Sequence, residues 1–226
     1  MNVAQVERLA GGAGLTALGT IRATPQQGAP EGVGAIVLLG LSREGWGVFT
    51  ESPEFADGAP DPLDRWSSRV IGALGMATGA EALFPFGGPP YQPFMRWASA
   101  TRRMWPSPLG MSVHDEHGLW MSFRGALGFA TLEGIPEPAP APRPCDTCTT
   151  RPCLKACPVD AFTGEGEGTR YDVEACAAHV RSPEGAACRQ RGCLARRACW
   201  IGQDRVPEPA RAAFHMGAFL RARETA

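Results

Sequence analysis

The sequence predicts an α+β fold in two parts, and three observations predict it. Residues 1–133 carry apolar runs of both strand and helix character. Five prolines at alternate positions then interrupt the chain across Gly134–Pro144 (GIPEPAPAPRP), and all eight cysteines lie beyond them, between Cys145 and Cys199. A chain of 226 residues that is 44% hydrophobic has the material for one medium domain and one small one, each with a core. The expected division is an α+β domain at 1–133, an extended polyproline-type linker at 134–144, a cysteine-bearing domain at 145–205 and a closing helix at 206–226.

Taken in order, Val3 to Ala10 has the spacing of a short amphipathic helix. Val33 to Leu41 (VGAIVLLGL) is an unbroken apolar run between glycine-rich segments, as a buried strand requires. Asp61 stands at an N-cap position, with Pro62 first and Asp64 third in the helix. Leu63, Trp66, Val70 and Leu74 continue at helical spacing to about Thr78. Phe84 to Phe94 (FPFGGPPYQPF) holds four prolines and two glycines, which excludes regular helix and central strand and predicts a stiff, aromatic loop. A helix is expected from Met95 to Met104. Met111–His114 and Leu119–Phe129 read as a strand pair joined by Asp115–Gly118. Glu208 to Arg223 reads as a last helix, with Ala212, His215, Met216, Phe219 and Leu220 on one face.

Charge and patterning exclude several functions. A net charge of −1 argues against nucleic acid or an acidic membrane as the partner. No run of eighteen uncharged apolar residues offers a membrane span. Met1–Gly11 includes Glu7 and Arg8 and lacks the form of a signal peptide, so a cytoplasmic location is expected. In a reducing compartment eight cysteines are not expected as disulfides. No Ser-His-Asp set, phosphate loop or paired-carboxylate motif stands out, which leaves hydrolase and kinase readings without support.

The cysteine spacing is the sharpest signal. The first group is Cys145-x2-Cys148-x4-Cys153-x3-Cys157-Pro158. Short-spaced thiols ending in Cys-Pro form the bacterial ferredoxin pattern, in which one tight loop aims several sulfurs into a single concavity. The gap from Thr149 to Pro152 is two residues longer than in that pattern. The second group is Cys176, Cys188, Cys193 and Cys199, spaced x11, x4 and x5. Two-cluster ferredoxins exchange a ligand between their runs. Applied here, Cys145, Cys148, Cys153 and Cys199 would hold one 4Fe–4S cluster and Cys157, Cys176, Cys188 and Cys193 another. Arg189, Arg191, Arg196 and Arg197 interleave with the second group, either as cations that raise a cluster's potential or as a solvated helix face. Two further readings of the block stay open: a pair of structural four-cysteine zinc sites, and a single cluster with spare cysteines.

With Tyr171-Asp172-x3-Cys176 preceding its last three cysteines, the block resembles the C-terminal ferredoxin domain of the epoxyqueuosine reductases, cobalamin-dependent enzymes with two 4Fe–4S clusters. Leu109–Phe129 (LGMSVHDEHGLWMSFRGALGF) resembles their adjoining strand pair. Through His114, Gly118, Trp120, Arg124 and Gly125 it is still more similar to the vitamin B12 processing family, the cobalamin decyanases and dealkylases. The resemblance implies a nitroreductase-like N-terminal fold. It spans roughly residues 30 to 200 and is strongest over the cysteines. Two departures count against epoxyqueuosine reduction itself: Phe84–Pro90 offers no acidic residue, and Trp105–Pro108 (WPSP) stands near where a Gly-Lys-Asn is usual. Asp115-x-His117 matches the opening of a base-off B12 signature, but Trp120 occupies the place of its glycine, and three-residue matches arise easily.

Candidate cofactor-binding residues in the first domain are Tyr91, Gln92 and Arg96, in or just after the proline-rich loop, and Arg124 in the second strand of the pair. Each has a structural alternative: Tyr91 and Phe94 as core aromatics, Arg124 as the polar face of a strand. Trp46, Trp66, Trp97 and Trp120 are expected in the core rather than against a cofactor, and His179 on a solvated helix face. The functional expectation is an iron–sulfur redox protein that passes single electrons from two 4Fe–4S clusters to a corrinoid on the N-terminal domain. An electron-donor protein such as a reductase or flavodoxin would be its partner. The alternatives are a non-catalytic ferredoxin-type carrier and a flavin-dependent reductase.

Overall fold

A computed structural model describes residues 1–137, 142–164 and 169–224. The first elements are α1 (Val3–Gly12), β1 (Leu15–Arg22), β2 (Ala35–Leu41), α2 (Gly45–Thr50), α3 (Pro53–Ala56), α4 (Pro62–Thr78), β3 (Glu81–Leu83) and α5 (Phe94–Ala100). They are followed by β4 (Met104–Pro106), β5 (Ser112–His114), β6 (Phe123–Phe129), α6 (Pro152–Lys155), β7 (Phe162–Thr163) and β8 (Arg170–Tyr171). Four helices close the chain: α7 (Val173–Arg181), α8 (Ala186–Arg191), α9 (Leu194–Arg197) and α10 (Pro209–Arg221). The fold is mixed α+β with small antiparallel sheets. Among the described residues no helix is long and apolar enough to cross a membrane.

The chain divides into two compact units, Met1–Arg103 with Met121–Pro140, and Met104–Trp120 with Ala141–Ala226. The first unit is built on a four-stranded sheet of order β1-β2-β6-β3, antiparallel throughout. All seven residues of β2 are buried, which is why its sequence is a continuous apolar run rather than an alternating one. At Gly19, where the β1–β2 register shifts, a β-carbon would stand 2.7 Å from Thr101 Cγ2, and φ is +143°, so only glycine fits. Helix α1 is fixed by a capping box between Asn2 and Gln5 and buries Val3, Val6 and Ala10. Helix α4 buries Leu63, Trp66, Ser67, Ile71 and Gly75, a stripe of helical period. Trp66 joins Phe49, Phe55 and Trp46 in a chain of tilted and edge-to-face ring contacts with centroids 5.2–6.3 Å apart.

Three expectations for this region are corrected. Asp61 precedes α4 but makes no side-chain cap; its backbone is left-handed at φ 51°, which turns the carboxylate away from the cap geometry. The helix expected to reach Met104 stops at Ala100, because Arg102 adopts φ 53° and Met104 opens a strand. The strand pair expected from 111–114 and 119–129 does not form as such. β5 pairs with β4, whereas β6 pairs with β2 and β3; the His114–Gly118 bridge closes the turn that follows β5. The reason is burial: Ala126 and Leu127 find their cover in the large sheet, next to β2. Phe84–Phe94 is irregular outside its last residue, and the Gly88–Pro89 and Pro89–Pro90 bonds are cis.

Met104–Trp120, expected in the N-terminal domain, belongs to the second unit. Its Leu109, Val113 and Leu119 form one apolar cluster with Cys153 and Ala195. Two glycines permit this approach. A β-carbon on Gly118 would lie 2.2 Å from the Ile201 carbonyl oxygen, and one on Gly202 would lie 2.6 Å from the His117 carbonyl. Both have positive φ, 56° and 68°. In this unit α6 packs on α9, α7 on α8 and α10 on α8. The closing helix expected from 206 is therefore part of the second unit. Of the expected linker at 134–144, residues 138–141 lie outside the described residues.

Candidate metal centres

The second unit sorts the eight cysteines into two sets of four. Cys145, Cys148, Cys153 and Cys199 line one cavity; Cys157, Cys176, Cys188 and Cys193 line another. All eight are free thiols.

The first cavity is made mostly by one short run of chain. A turn closed by Asp146 N–H on the Arg143 carbonyl and Thr147 Oγ1 on the Pro144 carbonyl carries Cys145 and Cys148. The longer gap before Cys153 is taken up by a reversal: Arg151 is left-handed at φ 41°, and Pro152 then starts α6. Cys199 arrives from the far end of α9. Val113 and Leu119 supply an apolar wall, so the 104–120 segment shields these sulfurs from water. The second cavity is assembled from separate elements: Cys157 follows α6, Cys176 sits in α7, Cys188 in α8, and Cys193 caps α9. Here the Ala161 amide donates to Cys157 Sγ at 3.3 Å. His179, expected on a solvated face, also lines this cavity.

The electrostatics of the thiols follow from this placement. Burial, then the neighbouring Cys199, Cys153 and Cys148, push the Cys145 thiol up to about 11. Burial is also the main cause that raises Cys153, Cys199, Cys176 and Cys193. Buried thiols crowded by one another resist ionising, and metal bound to them would replace their protons by supplying the missing positive charge. Among the described residues no group of three or more His, Cys, Asp or Glu that could hold a metal ion is found. Two sets of four thiols among apolar residues, with the Ala161 amide donating to Cys157 Sγ in the second, are a donor set that 4Fe–4S clusters would fit.

The candidate residues of the first unit are not gathered in this way. Tyr91 is exposed (66%), Gln92 is half-buried, and Arg96 is exposed and donates to the Gln26 carbonyl at 3.3 Å. Arg124 is buried. It pairs with Asp64, donates from Nε to Ser67 Oγ at 3.1 Å, and lies 5.8 Å from the centroid of the Phe86 ring. Burial pulls the Arg124 pKa down, and Asp64 opposes that pull. Neither cysteine cavity includes any of these four residues. Trp46, Trp66 and Trp97 are buried, as expected.

Sequence reasoning passed over the cavity wall at Val113 and Leu119, the Arg124–Asp64 pair and the seat of Arg196. Arg196 donates from Nε to the Leu119 carbonyl at 3.1 Å and stacks 4.5 Å from the Trp120 ring centroid. The only local signal was the pairing of Gly118 with a following Leu-Trp; the partners are 60 or more residues apart in sequence. No protein-family model matches the chain, and comparison with curated proteins finds no similar one.

Proposed function

We propose that the chain is an iron–sulfur electron-transfer protein whose second unit binds two 4Fe–4S clusters, one in each cysteine cavity. The observation that carries this reading is the four-and-four sorting of the thiols between two cavities joined by one apolar cluster. That cluster includes Cys145, Cys153 and Cys199 of the first set and Cys157 and Cys193 of the second. When bound, such clusters supply one-electron chemistry without proton or ligand exchange. The residues of α6 and α9 connect the two sites: Cys153 and Cys157 lie either side of the end of α6, and Cys193 and Cys199 flank α9. Ala195, wholly buried between them in sequence, keeps water from the path.

A corrinoid as the electron acceptor is supported by the resemblance of Leu109–Phe129 and the cysteine block to cobalamin-dependent and cobalamin-processing families. The carrier reading draws support from the first unit itself, where Phe94 is packed against Trp97 and Phe123 at 5.1 and 5.8 Å and Arg124 is engaged by Asp64. A flavin is the remaining acceptor for a nitroreductase-like fold.

The test is anaerobic reconstitution of the full chain with iron and sulfide, metal analysis, and then titration of the dithionite-reduced protein with hydroxocobalamin. About eight irons per chain are expected for two cubanes. Stoichiometric spectral conversion of the added cobalamin supports the corrinoid as acceptor. Eight irons without cobalamin binding leaves the carrier, with flavins tested next. Uptake of two zinc ions per chain in place of iron and sulfide overturns the reading.

A further inference from the structure

The chain has four histidines, and three of them are engaged. His114 is wholly buried, and its Nδ1 accepts from the amides of Glu116 and His117 at 3.0 and 3.2 Å. The His117 ring meets that of His114 edge to face with centroids 4.7 Å apart, and His215 meets Phe214 in the same manner at 5.6 Å. His179 differs. It is half-buried, and among the described residues its ring makes no hydrogen bond, ion pair or ring contact. The exposed Glu184 beyond the helix acts on it through charge and not through a bond. What His179 does face is the second cavity, whose lining it shares with Cys157, Cys176, Cys188 and Cys193.

The local sequence aims it there. Helix α7 contributes Cys176, His179 and Val180 to the lining. Positions i, i+3 and i+4 of a helix lie on one face, about one turn apart. The backbone at His179 is also held. Its carbonyl accepts from the Ser182 amide at 3.0 Å, and a β-carbon on Gly185 would stand 1.8 Å from that oxygen. The root of the ring is therefore fixed on the face that carries Cys176, and only the side chain's own torsions remain. The first cavity has no counterpart. Among the described residues its lining holds no histidine, and its polar side chains beyond the thiols are Ser107 and Arg151. A guanidinium stays protonated and offers a metal no lone pair.

An iron–sulfur cubane takes four protein ligands, and imidazole replaces thiolate on iron in some clusters. The second cavity offers four thiols and an imidazole. Resting on the cluster reading above, we propose that His179 is a fifth donor of the second site, able to take the ligand position of Cys176. These two share a helix face, so an exchange between them needs side-chain rotation alone, whereas Cys157, Cys188 and Cys193 come from other parts of the chain. In the exchange the bond from iron to Cys176 Sγ breaks. The thiolate keeps the electron pair and takes a proton from solvent. The lone pair of a neutral imidazole nitrogen forms the new bond, and no electron is gained or lost.

The experiment is anaerobic reconstitution of the full chain with iron and sulfide, iron analysis, and pulsed electron paramagnetic resonance of the reduced protein carrying isotopically labelled histidine. Cys176→Ala should retain about eight irons per chain, as wild type does, and gain the strong nitrogen coupling of a directly bound imidazole. His179→Ala should also retain about eight. Cys176→Ala combined with His179→Ala should fall to about four, and the irons kept by the first site report that the unit is folded. Cys148→Ala, whose site has no spare donor, should fall to about four as well. The proposal is overturned if Cys176→Ala shows no such coupling, or if it takes up no more iron than the double variant; the wild-type iron content then leaves the cluster reading standing. If wild type takes up no iron and sulfide, the function reading falls, and this one with it.

Discussion

The two units solve the problem of a core in different ways. The first closes a sheet whose central strand is buried along its whole length and covers it with α1, α4 and a chain of aromatic rings. Its contacts are apolar side chains that pack without outside help. The second has short strands, short helices and an apolar cluster in which five of the thirteen members are cysteines. A core made of thiols around two cavities is incomplete by itself, because the sulfurs neither fill the space nor ionise readily. The difference teaches where stability should reside: in side-chain packing for the first unit, and in whatever the thiols hold for the second.

Iron removal gives the largest expected effect. Chelation and oxidation of the reconstituted protein should abolish protection from hydrogen exchange in 104–120 and across α6 to α10, while β2 and β6 keep theirs. Thermal unfolding followed by circular dichroism should lose one transition and retain the other. Equal protection of the second unit with and without iron would sink the comparison, since it would mean that packing alone sustains both units.

Next in size is Gly118→Ala. The new β-carbon meets a backbone oxygen, that of Ile201 at 2.2 Å, at a φ that side chains disfavour. The expected loss is about 3 kcal/mol in the second unit's transition, with iron lost first from the site that contains Cys199. Gly110→Ala is the control. Its φ is also positive, at 70°, but the nearest contact is 3.9 Å away, at Thr169, so a loss of about 1 kcal/mol is expected. Similar losses in the two variants would show that the contact with Ile201 is dispensable.

Arg124→Met tests the first unit. The substitution keeps much of the aliphatic bulk and removes the pair with Asp64. Asp64 is 39% exposed and can turn to water, while Ser67 retains its bond to the Leu63 carbonyl. A loss of about 1–2 kcal/mol is expected in the first transition alone, with iron content unchanged. Hydroxocobalamin titration of the same variant sharpens the functional reading. If cobalamin binds wild type and fails to bind this variant, Arg124 contributes to the ligand site as well as to the Asp64 pair.

What the sequence revealed follows the same division. In the first unit β2 and α4 were legible, because a fully buried strand and a helix with one buried stripe write their periods into consecutive residues. Strand pairing was not. The partner of β6 is β2, more than 80 residues earlier, and nothing local to Leu119–Phe129 records it. In the second unit the cysteine spacing of the first run was legible because that cavity is built from one short loop. The seat of Arg196 was not, since its partners Leu119 and Trp120 lie more than 70 residues earlier and meet it only after the segments pack. Met104–Trp120 was misassigned for the same reason: its strands look like a continuation of the first domain, and only Gly118 and Gly202 reveal how closely it docks on the chain beyond Cys199.

The smallest effect concerns acid. Arg69 grips Glu54 with two bonds, Nε to Oε1 at 2.5 Å and Nη2 to Oε2 at 2.9 Å, joining α3 to α4. That guanidinium is the main reason the Glu54 carboxyl falls from 4.5 to about 2, against the opposing pull of burial. Because the folded-state pKa is the lower one, the pair's contribution is present above pH 4.5 and is lost as pH falls toward 2. Arg69 is 54% exposed, so solvent screening limits the contribution to about 1 kcal/mol. Glu54→Gln should therefore lower the first unit's stability by that amount at pH 7 and coincide with wild type near pH 2. The second unit's transition should be unchanged at pH 7. If the two proteins stay equally far apart at pH 2, the carboxylate's charge is not what joins α3 to α4, and the first unit depends on packing there as it does in its sheet.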